Sequence, residues 1–301
     1  MTSYTLYQVD SFTRTKFKGN PAGVVVNADG LSDLRMQEIA RELNNSETAF
    51  LFEPDDDSCD GVIRYFTPTV EVPICGHATI AAMYAKGLEE SLDSGVFNMK
   101  TRVGVLPFEI QKAENGLKIW MTQGRIEIHE PLADDHRKAL FAYLGLGKDD
   151  IDTRCPVQIA STGHSKVMIG IKGRETLNTL TPDYGKLAEL SERIGCNGYY
   201  VFTLTPDSSD VLTCGRMFAP SIGIQEDPVT GNANGPLGAY LVHNKIVDCK
   251  EDGLFTFKGA QGEAMGRDGV VEVSVAVKAG EPALVRIAGE AVTVFKATLE
   301  I

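Results

Sequence analysis

The sequence contains no run of about 18 apolar residues, so it offers no helix that could cross a membrane. Met1 to Ser11 alternates polar and apolar residues and lacks a basic stretch leading into an apolar core. A signal peptide is therefore not expected, and a cytoplasmic location is. Of the six cysteines (Cys59, Cys75, Cys155, Cys196, Cys214 and Cys249) no two form a C-x-x-C pair. Neither a structural zinc site nor a redox motif is expected from them, and they read as free thiols. The five histidines are dispersed, with no H-E-x-x-H, so no metal site is expected. G-x-G-x-x-G, G-x-x-x-x-G-K-[ST] and G-x-S-x-G are all missing, which removes the dinucleotide, nucleotide and α/β-hydrolase readings. Positive charge is also scarce: 29 Lys and Arg stand against 41 Asp and Glu, a net charge of −12. A surface of that sign repels phosphate backbones, so nucleic acid is not expected as a partner; a small anionic metabolite could still find a locally positive pocket. Acidic runs such as Asp55-Asp56-Asp57 read as solvated loop.

What is present is a globular composition, 43% hydrophobic and 23% charged over 301 residues. That length suits two domains of roughly 150 residues each. The chain also carries a faint copy of itself, offset by about 150 residues. Phe66-Thr67-Pro68 matches Phe218-Ala219-Pro220, and each is followed by a glycine-led helix start, Gly76-His77-Ala78-Thr79 and Gly231-Asn232-Ala233-Asn234. Upstream, Gly19-Asn20-Pro21-Ala22-Gly23 leads into Val24 to Val26, as Thr162-Gly163-His164-Ser165-Lys166 leads into Val167-Met168-Ile169. An amphipathic helix follows each: Met36, Ile39, Ala40 and Leu43 share one face behind an Ser32 cap, and Leu187, Leu190 and Ile194 share another behind a Thr181 cap with Pro182 at the first helical position. Strands are expected at Ala49–Phe52 and Tyr199–Phe202.

Ala78–Ala85, ended by Gly87, and Gly235–Val242 have no polar face, so each is expected to be buried on all sides. Short alternating runs fill the remainder. The fold expected is α+β: two pseudo-symmetric domains, each a rolled mixed sheet around one buried central helix. The boundary is placed near Gln123 to Pro131. The first domain is 1–124 plus 283–301, with Ala291–Ile301 returning to complete it, and the second is 125–282.

Helix N-termini present free N–H groups, and glycine allows close approach of a ligand. If the halves face each other, Gly76 and Gly231 begin a shared pocket for a carboxylate. His77 at the head of the first helix suits acid–base work, as does Asp227 ahead of the second. By residue type alone Glu47 reads as an exposed charge at a strand end. Cys75 reads as a buried small apolar residue or, alternatively, as a thiolate base that has no cysteine at the matching place in the second half.

Asn45-Ser46-Glu47-Thr48-Ala49-Phe50, Phe66-Thr67-Pro68 through Cys75-Gly76-His77-Ala78-Thr79, and Arg216 to Gly235 resemble the PhzF family of phenazine-biosynthesis-like isomerases, which has the diaminopimelate-epimerase-like fold. The resemblance implies a cofactor-independent isomerase and a homodimer, with a cleft between two matching domains. In the phenazine member a glutamate moves a proton between carbons of a dihydro-hydroxyanthranilate ring. Its match is Glu47, which the resemblance makes the leading catalytic candidate, with His77 and Asp227 assisting and Gly76 and Gly231 holding the substrate anion. Asn232 stands where the phenazine enzyme has serine, so substrate recognition there is expected to differ. Related epimerases use two cysteines, and this chain has no second one in place.

Overall fold

The computed structural model describes residues 2–114, 116–205 and 210–301. The chain divides into two compact units, Met1–Thr122 with Ala288–Ile301, and Gln123–Ile287. The first runs β1 (Ser3–Ser11), β2 (Asn20–Val25), α1 (Asp33–Leu43), β3 (Thr48–Phe52), β4 (Gly61–Phe66), β5 (Glu71–Val72), α2 (Gly76–Glu89), β6 (Gly95–Thr101), β7 (Gly104–Ala113) and β8 (Gly116–Thr122). The second runs β9 (Glu127–Pro131), α3 (Asp134–Leu144), β10 (Gln158–Ser161), β11 (Lys166–Ile171), α4 (Arg174–Thr179), α5 (Tyr184–Ile194), β12 (Tyr199–Leu204), β13 (Thr213–Ala219), β14 (Ile224–Asp227), α6 (Gly231–His243), β15 (Gly253–Gln261) and β16 (Gly269–Lys278). A long strand, β17 (Glu281–Glu300), passes through the boundary.

The fold is α+β, and the two units repeat one plan. In the first, β1–β2 is antiparallel, β2–β3 parallel, β3–β4 antiparallel, β4–β6 parallel and β6–β7 antiparallel. In the second the same alternation runs through β10–β11, β11–β12, β12–β13, β13–β15 and β15–β16. The first unit closes on itself, because β7 pairs β8, β8 pairs β17, and β17 pairs β1. A closed sheet leaves no edge and encloses whatever lies at its axis.

At that axis lies α2, buried from His77 through Ala85 and packed on β1, β2, β3, β7 and β8. In the second unit α6 is buried from Ala233 through Val242 and packs on β10, β11 and β16. Helices this short are marginal in water, so enclosure rather than propensity holds them. Burial of Ile80, Met83, Leu237 or Leu241 contributes about 1.5–3 kcal/mol each.

Two local expectations are corrected. Gly87 does not stop the first central helix, which runs on to Glu89. A Cβ at Gly87 would stand 2.4 Å from Leu117 Cδ1, so this glycine lets helix and sheet approach closely. The cap of α5 is Asp183, not Thr181: its carboxylate accepts from the Lys186 N–H at 3.1 Å, and Pro182 lies outside the helix. Ser32 does cap α1, accepting from the Arg35 N–H.

The registers fix which residues correspond. Phe66 stands opposite Thr48, and Phe218 opposite Tyr199. The Gly23 N–H donates to Glu47 O at 3.3 Å, and the Val167 N–H to Gly198 O at 2.8 Å. Hence Glu47 corresponds to Gly198, and Ala22 to Lys166, one residue away from the alignment suggested by the glycine pattern.

The registers also show a paired device. Arg64 forks onto Glu71 at 2.8 Å through both Nε and Nη2 and lies over the Phe66 ring. Arg216 forks onto Glu226 at 2.9 and 2.8 Å and lies over Phe218. Each pair ties a β-hairpin, β4–β5 or β13–β14, just ahead of a central helix.

Candidate active site

In the first unit, Glu47 lies between the end of α1 and β3. Asn44 ends that helix in the left-handed conformation, which turns the chain sharply. Asn45 then exchanges two amide hydrogen bonds with Gln8, at 3.0 and 2.8 Å, and so ties the turn to β1. The Glu47 side chain is thereby delivered, mostly buried, to the head of α2.

There it meets His77. Glu47 Oε2 lies 3.3 Å from His77 Nε2, and Ser46 Oγ lies 3.2 Å from the same nitrogen. The other ring nitrogen, Nδ1, lies 3.4 Å from Cys75 Sγ. His77 is held by its backbone, since Ser11 Oγ donates to His77 O at 2.8 Å. Thr79 Oγ1 donates to Cys75 O at 2.7 Å, leaving Tyr65 OH to donate to Thr79 Oγ1, also at 2.7 Å. Burial pushes the Tyr65 phenol far up, so it stays a neutral donor. At Gly76 the place of a Cβ is open space, so the backbone there can be approached. Carboxylate, imidazole and thiol form a chain along which a proton can pass. The ligand atoms of Glu47, Cys75 and His77 lie within 4.8 Å of one another, close enough to share a metal ion; those of Asp55, Asp56 and Cys59 do likewise.

In the second unit, Asp227 accepts a hydrogen bond from Thr230 Oγ1, and its carbonyl accepts from Gln261 Nε2 at 2.8 Å. Gln261 Oε1 accepts from the Thr230 N–H at 3.1 Å and from Asn234 Nδ2 at 3.2 Å. Asn234 Oδ1 in turn accepts from Tyr200 OH at 3.0 Å. This network fixes Asp227 and the first turn of α6, which starts at Gly231. The Asn232 side chain is half-buried and makes no hydrogen bond among the described residues, which leaves its amide open to a ligand. Gly259 permits the network: a Cβ there would stand 2.1 Å from Asn234 Oδ1. Gly259→Ala is expected to drive Asn234 off Tyr200, leave a buried hydroxyl unsatisfied and cost about 1–3 kcal/mol in a urea melt; an unchanged midpoint would count against the network.

The six residues singled out from sequence thus fall into two groups, Glu47, Gly76 and His77 in the first unit, and Asp227, Gly231 and Asn232 in the second. Sequence reasoning missed Ser46, Ser11, Gln261 and Lys166. Ser46 adjoins Glu47 and had a local signal; Gln261 and Ser11 come from distant strands and had none.

The model for phenazine biosynthesis-like proteins, PhzC-PhzF, matches residues 9–297. The chain belongs to that family. Among PhzC-PhzF relatives, an uncharacterized isomerase of Clostridium acetobutylicum is 56% identical over 98% of both chains. The uncharacterized isomerase YddE of Escherichia coli K12 is 47% identical over 97% of both. The trans-2,3-dihydro-3-hydroxyanthranilate isomerase of Pseudomonas aeruginosa is 30% identical over 79% of this chain and 80% of that one. Of solved structures, a PhzF-family protein of Bacillus anthracis superposes with a TM-score of 0.88 at 30% identity, each chain covered completely. A hydroxyproline epimerase from Agrobacterium vitis shares the fold, with a TM-score of 0.61 at 15% identity over 99% of this chain and 92% of that one. This PhzF-family chain is an isomerase.

Proposed function

We propose that the protein is a cofactor-independent isomerase that moves a proton on a small cyclic or amino-acid-like carboxylate. The observation that carries this reading is the Glu47 carboxylate set against the imidazole of His77 at the head of a buried helix. Glu47 takes a proton from carbon adjacent to a carbonyl or carboxylate and returns it to another carbon. His77 holds Glu47 in place and shares the proton. Asp227 assists from the second unit, while the helix starts at Gly76 and Gly231, with Asn232, hold the substrate carboxylate and the negative charge that develops. The P. aeruginosa relative, named for an isomerisation of a dihydro-hydroxyanthranilate, supports the class of reaction. The substrate is proposed only as a carboxylate, because Asn232 alters the place where recognition occurs. A homodimer is proposed on the family resemblance.

The test is deuterium uptake. The protein is incubated in D2O with a metabolite extract beside Glu47→Gln, and masses are followed. A compound labelled by the wild type alone supports the reading; equal labelling by both overturns it.

A second reading has one observation in its favour. The contact of Cys75 Sγ with His77 Nδ1 suits a thiolate base of the racemase kind. Two-base racemisation needs a second acid, and Thr230, which precedes Gly231 as Cys75 precedes Gly76, is no thiol. Cys75→Ala is therefore expected to keep labelling within about tenfold of wild type, whereas removal of an essential base costs about 10²–10⁴-fold. A loss as large as that of Glu47→Gln would favour the thiol mechanism.

A further inference from the structure

Lys166 begins β11 and is 7% exposed. Its ammonium donates to Ser165 O at 3.1 Å and forms no ion pair with a carboxylate among the described residues. Buried lysines without a counter-charge are uncommon, because desolvation of the ammonium is costly. Burial accordingly pulls its pKa below the ordinary lysine range, against the opposing influence of nearby Cys196 and Asp227. Two residues earlier, His164 is also pulled down, first by loss of water around its ring and then by the charge of Lys166.

Where this ammonium lies is fixed by Gly198. A Cβ built on Gly198 would stand 2.3 Å from Lys166 Cδ, 2.8 Å from Cε and 3.5 Å from Nζ. Gly198 is the residue that corresponds to Glu47. Lys166 therefore occupies, in the second unit, the place that the Glu47 side chain occupies in the first. In the first unit the partner position is Ala22, which leaves room for the glutamate; in the second the glycine leaves room for the lysine. The exchange is reciprocal, and it converts a carboxylate into an ammonium at matching places. The second place lies within electrostatic reach of Asp227, which precedes the N–H-rich start of α6.

We propose that Lys166 is a substrate-binding residue: its ammonium, with the first turn of α6, takes the carboxylate of the substrate. This rests on the isomerase reading for the identity of the ligand and adds the residue that recognises it. The remaining ammonium hydrogens would be satisfied by the substrate, which explains why the protein tolerates a buried cation with one hydrogen bond to its own neighbour. Chemically the arrangement divides the work. The repeated scaffold presents a base in one copy and, at the matching place in the other, a fixed positive charge.

The experiment measures thermal shifts with acetate, benzoate, anthranilate and 3-hydroxyanthranilate, against equal chloride and against aniline, which lacks the carboxylate. Three chains are compared: wild type, Lys166→Met and Gly198→Ala. Lys166→Met keeps the length of the side chain and removes the charge. Gly198→Ala keeps the charge and displaces the side chain by its new Cβ. At least one carboxylate is expected to stabilise the wild type while aniline does not, and its affinity is expected to fall about tenfold or more in Lys166→Met. Gly198→Ala is expected to weaken the same ligand, and Lys166→Met without ligand to melt no lower than wild type. Equal stabilisation of wild type and Lys166→Met overturns the proposal, as does the lack of any carboxylate effect on the wild type. Equal deuterium labelling by Glu47→Gln and wild type would instead fell the isomerase reading, so the two failures are told apart.

Discussion

Glu47→Gln is expected to lower deuterium transfer by about a thousandfold, within the range general acid–base catalysis supplies. The amide is close to isosteric and can still hydrogen-bond to His77 Nε2, now 3.3 Å from Glu47 Oε2. It cannot accept a proton from carbon and give it back. Fold and ligand binding should therefore survive: the substitution keeps the size of a mostly buried side chain that lies at the head of α2 and not in its close-packed interior. The measurement pairs the labelling rate with a thermal melt and with the carboxylate shift in the same preparation. A rate within tenfold of wild type, with the fold intact, would show that another group carries the proton. Loss of the carboxylate shift along with activity would make Glu47 a binding residue.

The second large effect concerns stability. Arg216→Met is expected to cost about 3–5 kcal/mol, the usual penalty for stripping one partner from a buried ion pair. The side chains of Arg216 and Glu226 are 7% and 10% exposed, so Glu226 would be left charged and buried. Arg216 Nη1 also donates to Leu177 O at 2.9 Å and Leu180 O at 3.0 Å, and those carbonyls at the end of α4 would lose the guanidinium's hydrogen bonds. The matching Arg64→Met should cost less, about 1 kcal/mol, because Arg64 is 25% exposed and water can replace it. Urea melts of the two variants decide the matter: equal midpoints would mean that burial does not set the worth of these pairs. Adding Glu226→Leu to Arg216→Met should recover part of the loss, since a neutral pair leaves no stranded charge.

These two arginines also show what the sequence conceals. Glu71 follows Phe66 by five positions and Glu226 follows Phe218 by eight, so the pairing does not stand out as a repeat. The three additional residues lie in the hairpin, whose length varies without disturbing the fork. By contrast the central helices were legible, because a segment with no wet face can only be buried. Glu47 was legible through family resemblance; its residue type and position describe an ordinary strand-end charge. Its neighbour Ser46 lies in the same motif, so a local signal for it was present. Lys166 was hidden for the opposite reason. Lysines are surface residues as a rule, and only the strand register, with Gly198 beside it, reveals that this one is buried. The capping error at Thr181 was local: Thr, Pro and Asp stand together, and the choice among them depends on a backbone angle that residue type does not specify.

β17 imposes a timetable on synthesis. The first unit is closed by Ala288–Ile301, whose strand pairs with β1 and β8, although everything else in that unit is made before residue 123. The half translated first is thus completed only after the second unit has been made, and its earliest strand must wait for residues 291–300. Until then β1 keeps an open edge in the nascent protein, while all of Gln123–Ile287 has already emerged. A chain lacking Ala288–Ile301 would have an unsealed first unit, with the free edge of β1 and the cradle of α2 open to chaperones.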